Sequence, residues 1–454
     1  MIQTALIPNA HTDLVTDACY DTYGLYLATC GVDQRIKVWV LEEESGSWKL
    51  EDDWKAHEAA VTKISWAHPT FGSVIASSSF DRTVKIWEQM HADSDAQASG
   101  SGSSGGSTRW VERAVFLDAK DSVRAVEFAP YHFGMKLAAI SSDNHLRIYE
   151  CLEQPALANW QLVDEVDMPA LPKHAVGGPS SLSNTVATST PTPTQMGTSA
   201  LDGASVTSLL QAAQQQNAAQ QGAGRPGLGS READGGWCVS WCKERYWGEV
   251  LAVGSGVGGI VKIIQFSSHR RPQTLFSLEP TPPPSSSAPP LGRAGSLRSG
   301  AYSAVASGAS NGEVPYAVTS IAWAPSCGRS FHLIATGSRD GHVRIWKVKP
   351  PPPSAPSPSA GADLGDEDIG MNSLDEKWSA NLVAEFDDHK SSVGRVEWNI
   401  TGTVLSSAGN DGRVRLWKQT VGGVWRPAGH ISVEQAEERP QTADVEMDEN
   451  AGAD

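Results

Sequence analysis

The sequence has few cysteines, no excess of positive charge and no long apolar run. Its six cysteines are scattered over 454 residues, which makes no disulfide framework and indicates a reducing compartment. No stretch of about 18 apolar residues occurs, which excludes a membrane-spanning helix, and the first residues do not resemble a signal peptide. Lys and Arg number 36 against 52 Asp and Glu, so no broad basic surface is available to phosphates. We expect a soluble nuclear or cytosolic protein with no direct nucleic-acid binding and no membrane insertion.

Five stretches are also poor in apolar side chains. They are rich in Ser, Gly, Pro, Thr or Gln, and the last is acidic. We predict that they are disordered, because too little apolar surface is available to offset the entropy cost of ordering them. They comprise insertions at 91–109, 165–234, 279–314 and 349–376 and an acidic tail at 431–454. All 16 tryptophans lie in the remainder.

That remainder contains an internal repeat in which an aspartate is followed six residues later by an aromatic side chain. Short Val/Ile/Leu runs separated by Asp, Gly and Asn are typical of antiparallel strands joined by tight turns. Five copies align without gaps: GVDQRIKVW at 31–39, SFDRTVKIW at 79–87, SSDNHLRIY at 141–149, SRDGHVRIW at 338–346 and GNDGRVRLW at 409–417. A sixth copy at 237–266 lacks both the aspartate and the terminal tryptophan.

The repeat also predicts a hydrogen-bonded network within each unit. The aspartate falls in the turn between the second and third strands, where its carboxylate can accept turn N–H groups. Some copies add a His 22 to 24 residues before it and a Ser or Thr four residues before it. We expect a His–Asp–Ser/Thr–Trp network that ties the strands of one unit together. Its predicted members are His11, Thr29, Asp33, Trp39, His57, Ser77, Asp81, Trp87, Asp143, Tyr149, Thr336, Asp340, Trp346, His389, Ser407, Asp411 and Trp417.

The repeat resembles the WD-repeat family, and the resemblance implies a β-propeller. Six copies correspond to about 46 residues per blade, near the usual repeat length. We therefore predict an all-β fold with six blades and long disordered insertions. The blades are expected at about 11–52, 54–118, 120–164, 235–278, 315–348 and 378–430. The insertions then fall within blade 2 and between blades 3 and 4, blades 4 and 5, and blades 5 and 6.

The first two units are similar to the Seh nucleoporin family, the small propellers of the Y-shaped complex of the nuclear pore. The similarity rests on HTDLVTDACYDTYGLYLATCGVDQRIKVW at 11–39 and WKAHEAAVTKISWAHPTFGSVIASSSFDRTVKIWEQ at 54–89, with further matches at 321–348 and 396–418. The resemblance implies a propeller that stays open, and an α-solenoid nucleoporin that completes it in trans with a seventh blade.

The same resemblance implies a non-enzymatic scaffold with no cofactor. Such a scaffold contacts other subunits of the Y-shaped complex, lies at the nuclear pore in the nuclear envelope, and supports nucleocytoplasmic transport of protein and mRNA. For the family it also implies a second role at the vacuolar or lysosomal membrane periphery, in a complex that regulates amino-acid signalling.

Two alternatives stay open at this point. One is the sister family, the propeller of the COPII vesicle coat, which the ending at 396–418 suits equally well. The other is a substrate-adaptor WD-repeat protein in a ubiquitin ligase or a chromatin complex. The first two units, the ending and the acidic spacer before blade 6 together favour the nucleoporin.

No catalytic, cofactor-binding or metal-binding residues are predicted. Gly254, Gly256 and Gly259 form a GxGxxG motif, but a strand follows it where a dinucleotide site needs a helix. Cys238 and Cys242 lack a second pair of ligands at the spacing of a zinc site. Both motifs are therefore interpreted as parts of blade 4.

Overall fold

Six four-stranded antiparallel sheets form a β-propeller. The computed structural model describes residues 7–42, 44–91, 108–154, 156–172, 235–267, 270–280, 317–350 and 378–432. Within these residues each sheet takes four strands that are consecutive in the chain. The prediction of an all-β fold with six blades is confirmed. Blade 1 uses only the first four strands and blade 6 only the last four, so no sheet is shared between the two ends of the described chain.

The strands follow one another in chain order, four to a blade. Blade 1 comprises β1 Val15–Tyr20, β2 Tyr26–Gly31, β3 Arg35–Glu42 and β4 Ser47–Lys55. Blade 2 comprises β5 Val61–Trp66, β6 Val74–Ser79, β7 Val84–His91 and β8 Thr108–Phe116. Blade 3 comprises β9 Val123–Phe128, β10 Lys136–Ser141, β11 His145–Cys151 and β12 Trp160–Asp167.

The second half of the chain repeats this plan. Blade 4 comprises β13 Cys238–Trp241, β14 Glu249–Gly254, β15 Val261–Ser267 and β16 Arg270–Leu278. Blade 5 comprises β17 Val318–Trp323, β18 His332–Ser338, β19 Val343–Lys349 and β20 Ser379–Phe386. Blade 6 comprises β21 Val393–Trp398, β22 Val404–Gly409, β23 Arg413–Gln419 and β24 Trp425–Ser432. Short 3-10 helices lie at Pro69–Phe71, Tyr131–Phe133 and Arg245–Trp247.

The turn chemistry explains why the second and third strands pair. The residue after each turn aspartate adopts a left-handed backbone, which Gly and Asn tolerate best and which a tight hairpin turn requires. These residues are Gln34, Arg82, Asn144, Gly341 and Gly412. The aspartate carboxylate accepts N–H groups in the same turn, for example that of Thr83 at 2.9 Å from Asp81 Oδ1. The constant spacing between the aspartate and the aromatic residue therefore indicates that the five hairpins share one turn geometry.

The core lies between the blades, because the facing sheets of consecutive blades pack against each other. Five apolar clusters are present in the described residues, and each joins two consecutive blades, from blades 1 and 2 to blades 5 and 6. None of these clusters joins blade 6 to blade 1. The first strand of every blade lies innermost and lines a central cavity of about 480 Å³.

The largest boundary correction concerns β20. The sequence analysis placed 378–430 in blade 6, but β20 Ser379–Phe386 pairs with β19 and belongs to blade 5. The insertion at 349–376 therefore lies within blade 5 and not between blades 5 and 6. The reason is physical, since the third and fourth strands of a blade pair whatever the length of chain that joins them.

Smaller differences occur at the ends of the predicted segments. Trp54 and Lys55 belong to β4 of blade 1 and not to blade 2. Strand β12 continues to Asp167, so the insertion predicted at 165–234 begins later, and Met168 is buried between blades 3 and 4. Strands β8 and β24 likewise take the last residues of 91–109 and the first residues of 431–454. The predicted disorder of 281–314, and of nearly all of the other four stretches, concerns residues outside those described and stays a prediction.

Candidate functional site

The predicted network residues of blades 1, 2 and 6 lie in hydrogen-bonded chains. In blade 2, His57 Nδ1 is 2.9 Å from Asp81 Oδ2, and His57 Nε2 is 2.7 Å from Ser77 Oγ. Trp87 Nε1 donates to the same Ser77 Oγ at 2.9 Å. The same pattern joins His11, Asp33, Thr29 and Trp39 in blade 1, and His389, Asp411, Ser407 and Trp417 in blade 6.

The chemistry of the side chains in blade 2 determines which group donates and which accepts in each hydrogen bond of this network. An ionised carboxylate can only accept, so His57 Nδ1 donates to Asp81, and Nε2 of the neutral imidazole accepts from the Ser77 hydroxyl, which in turn accepts from Trp87. The network thus ties the third strand, the second strand, the turn and the segment before the first strand to one another.

Blade 5 contains the predicted Trp346–Thr336 hydrogen bond, at 3.2 Å, but a different partner for its aspartate. Arg344 donates to Asp340 Oδ2 at 3.0 Å and to Ser338 Oγ at 2.8 Å. An arginine of the third strand therefore takes the place that histidine holds in blades 1, 2 and 6.

Blade 3 departs further from the predicted network. Arg147 donates to Asp143 Oδ2 at 2.9 Å and to Ser141 Oγ at 2.7 Å. The Tyr149 hydroxyl donates to Asp118 Oδ2 at 3.0 Å. Tyr149 thus occupies the aromatic position of the repeat but bonds a carboxylate that the sequence analysis did not single out.

The arginines were missed by the sequence analysis, although the sequence carries a signal for them. A basic residue follows each turn aspartate by four positions in all five complete copies, which places it on the third strand just after the turn. These residues are Lys37, Lys85, Arg147, Arg344 and Arg415. Arginine occurs in blades 3 and 5, which lack the histidine, and blade 6 has both His389 and Arg415.

The turn aspartates stay ionised because the hydrogen bonds that they accept outweigh burial. Burial alone would raise the pKa of Asp143, but donation from Arg147 and Ser141 lowers this pKa to about 2. Donation from His389 likewise outweighs burial and lowers the pKa of Asp411 to about 2. The pKa values of Asp33, Asp81 and Asp340 are also lowered. These carboxylates are suited to accept hydrogen bonds rather than to transfer protons at neutral pH.

These lowered pKa values predict loss of stability in acid. An aspartate in the unfolded chain titrates near pH 3.9, so the contribution of Asp143 to folding is complete above about pH 5 and lost toward its folded pKa near 2. We expect Asp143→Asn to destabilise the protein by about 1–2 kcal/mol at pH 7, less than the loss of a whole buried ion pair, because the amide oxygen still accepts hydrogen bonds and Arg147 keeps Glu165 as a partner. The difference from wild type should shrink between pH 4 and pH 2. Thermal melts across this range measure it, with Asp121→Asn, an exposed change, as control. A difference that stays constant with pH would contradict the assignment.

The other sequence motifs lie where the blade interpretation puts them. Gly254 ends β14, and Gly256 and Gly259 have positive φ in the turn to β15. Cys238 and Cys242 are both buried, and burial raises the pKa of each thiol to about 12.

In the residues that the structure describes, no cluster of His, Cys, Asp and Glu side chains is arranged to hold a metal ion. No helix in this part of the chain has the length and apolar character to cross a membrane.

A regular contact links the inner strands of successive blades. At each of five junctions, a side chain at the third or fifth position of one inner strand accepts the backbone N–H of the next inner strand. The pairs are Asp17 with Ile64, Ser65 with Phe128, Glu127 with Trp241, Ser240 with Trp323 and Ser320 with Val396, at 3.0–3.1 Å. The sequence analysis missed these acceptors because they differ in residue type from blade to blade.

The junction between blade 6 and blade 1, which we call the seam, is built differently. In blades 1 to 5, the face turned toward the next blade is buried at two positions of the second strand and two of the third. In blade 6 the corresponding residues, Ser406, Ala408, Val414 and Leu416, are only partly buried, and Val414 is 36% exposed. The buried positions in blades 1 to 5 are Ala28, Cys30, Ile36, Val38, Ala76, Ser78, Val84, Ile86, Ala138, Ile140, Leu146, Ile148, Ala252, Gly254, Val261, Ile263, Ala335, Gly337, Val343 and Ile345.

The blade 1 side of the seam is also exposed. The aromatic residue that ends the inner strand contacts the preceding blade in three blades, where Trp66, Trp241 and Trp398 donate to a carbonyl oxygen of that blade. Its counterpart in blade 1, Tyr20, is 56% exposed. Both walls of the seam therefore present surface that is buried at the other junctions.

Comparison with known proteins identifies the family. Nucleoporin SEH1 of Saccharomyces cerevisiae is 31% identical to the chain over 447 residues, covering 94% of this chain and 99% of the relative. The chain belongs to the Seh nucleoporin family. Nucleoporin seh1 of Schizosaccharomyces pombe is 29% identical over 96% of this chain and 99% of its own length, and human Nucleoporin SEH1 is 30% identical over 92% and 85%. As a Seh nucleoporin, the chain is a subunit of the nuclear pore.

Family models agree with the fold of this Seh nucleoporin. The model described as "WD domain, G-beta repeat" matches residues 3–40, 48–88, 305–347 and 380–418, which correspond to blades 1, 2, 5 and 6. Blades 3 and 4 are the two whose repeats lack the terminal tryptophan. Among solved structures, Chaetomium thermophilum Sqt1 bound to the N-terminus of ribosomal protein L10 has a TM-score of 0.47 and 16% identity, covering 93% of this chain and 76% of that chain. That likeness is too weak to bear on function.

Proposed function

We propose that this Seh nucleoporin is a non-enzymatic scaffold whose seam receives a blade from an α-solenoid nucleoporin. The observation that carries the proposal is the exposed pair of walls at the seam, where blade 6 offers Val414 and Leu416 and blade 1 offers Tyr20. A sheet inserted there would bury both walls as the other five junctions are buried. Strands supplied by another chain would also satisfy their own backbone hydrogen bonds within the inserted sheet.

The hydrogen-bond networks support the scaffold interpretation. We propose that the His, Asp, Ser or Thr, Trp and Arg side chains serve to lock each blade into a rigid unit. Rigid blades keep the residues of each wall ordered before a partner arrives, so little ordering cost within the walls is left for association. The family assignment favours the nucleoporin over the vesicle-coat propeller and the substrate adaptor.

A charge placed on the blade 6 wall tests the function of the seam. Val414→Asp should weaken binding of the α-solenoid nucleoporin by about 100-fold or more, because an inserted sheet would bury an unpaired carboxylate. The free protein should change little in stability, since Val414 is already partly exposed. Co-expression with the α-solenoid nucleoporins of the same organism, then size exclusion in about 0.5 M salt, would identify the partner, and calorimetry would give its affinity.

The matched control is Val163→Asp. Val163 is 44% exposed on β12 of blade 3, away from the seam. Its replacement by aspartate lowers the strand propensity as much as the replacement of Val414 does. The control should bind like wild type. Recovery of the wild-type chain without any α-solenoid partner, or wild-type affinity of Val414→Asp, would refute the proposal.

The wider roles are proposed on the family resemblance. They are contacts with other subunits of the Y-shaped complex, support of protein and mRNA transport, and a second place in an amino-acid-signalling complex at the vacuolar or lysosomal membrane periphery. Affinity isolation of the endogenous protein followed by mass spectrometry tests them together. Recovery of nuclear pore subunits alone would remove the second complex from the proposal.

A further inference from the structure

Where the seam meets the central cavity, the contact between blades 6 and 1 differs from the contacts at the other five junctions. There, a side-chain acceptor of one blade receives an N–H of the next. At the seam, the guanidinium of Arg395 on β21 instead donates to the Asp17 carboxylate and, at 2.7 Å, to the Ala18 carbonyl oxygen, both on β1. Among the described residues, the hydrogen bonds from blade 6 to blade 1 therefore come from the Arg395 side chain.

Both members of this pair have further partners of their own. Asp17, which is 5% exposed, also accepts from Lys63 Nζ and from the Ile64 N–H, each at 3.1 Å. Arg395 also lies 3.1 Å from Glu397 Oε2 on its own strand. Breaking a buried ion pair is usually costly because it leaves a buried charge unpaired. Here neither charge would be left unpaired if Arg395 moved away from blade 1.

We propose that Arg395 and Asp17 form a releasable latch pair, which closes the seam in the free chain and separates when strands enter it. Packed sheets lie about 10 Å apart, so a sheet inserted between blades 6 and 1 would place them about 20 Å apart, beyond the reach of an arginine. The latch contact and the inserted sheet therefore exclude each other. The closed state is a property of the free chain, whereas its competition with a partner rests on the proposed function.

Hydrogen–deuterium exchange of the free full-length chain tests the latch. In Arg395→Ala, the amides of β1 Val15–Tyr20 should exchange at least about tenfold faster, since a hydrogen bond to a charged group is lost. The amides of β9 Val123–Phe128, across the ring, should be unchanged. Arg395→Lys keeps the charge and should restore most of the protection. Arg426→Ala, an exposed change on β24 of the same blade, is the matched control.

Two exchange results would overturn the inference. One is wild-type protection of β1 in Arg395→Ala. The other is equal acceleration in β1 and β9, which would indicate general destabilisation rather than opening of the seam. A folded variant is recognised independently by an unchanged far-ultraviolet circular dichroism spectrum.

Measuring the affinity of wild type and Arg395→Ala for the α-solenoid nucleoporin tests the latch and the proposed function separately. If the latch competes with insertion, Arg395→Ala should bind the α-solenoid nucleoporin more tightly than wild type, by up to about tenfold. Weaker binding would show that Arg395 supports the partner instead, and would overturn the competition. Failure of both proteins to bind would refute the proposed function but would leave the exchange result to decide the closed state of the free chain.

Discussion

Arg147→Ala is expected to destabilise the protein by about 3–5 kcal/mol, the usual cost of removing one partner from a buried ion pair. Arg147 is 2% exposed and donates to Asp143 and Ser141, with Glu165 at 2.9 Å as a further partner. Its loss leaves the Asp143 carboxylate without a cation in a blade that has no network histidine. Thermal unfolding should show a fall in Tm of roughly 10 °C for a domain of this size.

The control for this variant is an arginine with a more accessible ion pair. Arg113 pairs with Glu88 at 2.6 Å, and both side chains are partly exposed. Arg113→Ala should cost no more than about 1 kcal/mol, since exposed ion pairs contribute little. Equal losses for the two variants would show that arginine does not take over the role of histidine in blade 3.

The second large effect is expected at Trp241. This indole is fully buried between blades 3 and 4, and its N–H donates to the Glu127 carbonyl oxygen at 3.1 Å. Trp241→Ala should cost about 3–5 kcal/mol through lost apolar contacts and the cavity that remains. Trp241→Phe keeps most of the apolar surface and should cost about 1 kcal/mol for the lost hydrogen bond. Urea denaturation measures both values.

Tyr20 is the matched position at the seam. It ends the inner strand of blade 1 as Trp241 ends that of blade 4, but it is largely exposed. Tyr20→Ala should therefore cost less than about 1 kcal/mol in the free protein. A loss as large as that of Trp241→Ala would mean that the seam is packed like the other junctions.

The fold could be predicted from the sequence because each blade is built from local pairings. An aspartate and an aromatic residue six positions later mark a hairpin, and five such hairpins are enough to identify the repeat. The limits of the blades were harder to predict wherever a pairing spans an insertion. Strand β20 joins β19 across a long insertion, and no pattern in β20 itself shows which neighbour it will pair with.

The networks were predictable only in part. The histidines of blades 1, 2 and 6 lie at a regular sequence distance from their aspartates, so the spacing was enough to predict these His–Asp pairs. The arginines of blades 3 and 5 look like ordinary strand residues unless the five copies are compared at that one position. Contacts between blades, such as those of Ser320 and Arg395, join residues 76 to 378 positions from their partners. A local sequence pattern therefore cannot predict contacts of this kind.

The contacts between inner strands have a direction, and this direction has a consequence for biosynthesis. At all five regular junctions the acceptor belongs to the earlier blade and the N–H to the later one. A chain that leaves the ribosome from its N-terminus therefore presents each acceptor before the strand that will use it has been made. We therefore expect each blade, once formed, to offer its acceptor to the inner strand of the next blade. Blade 6 is completed last, and Arg395 then meets an Asp17 that blade 2 already holds in place.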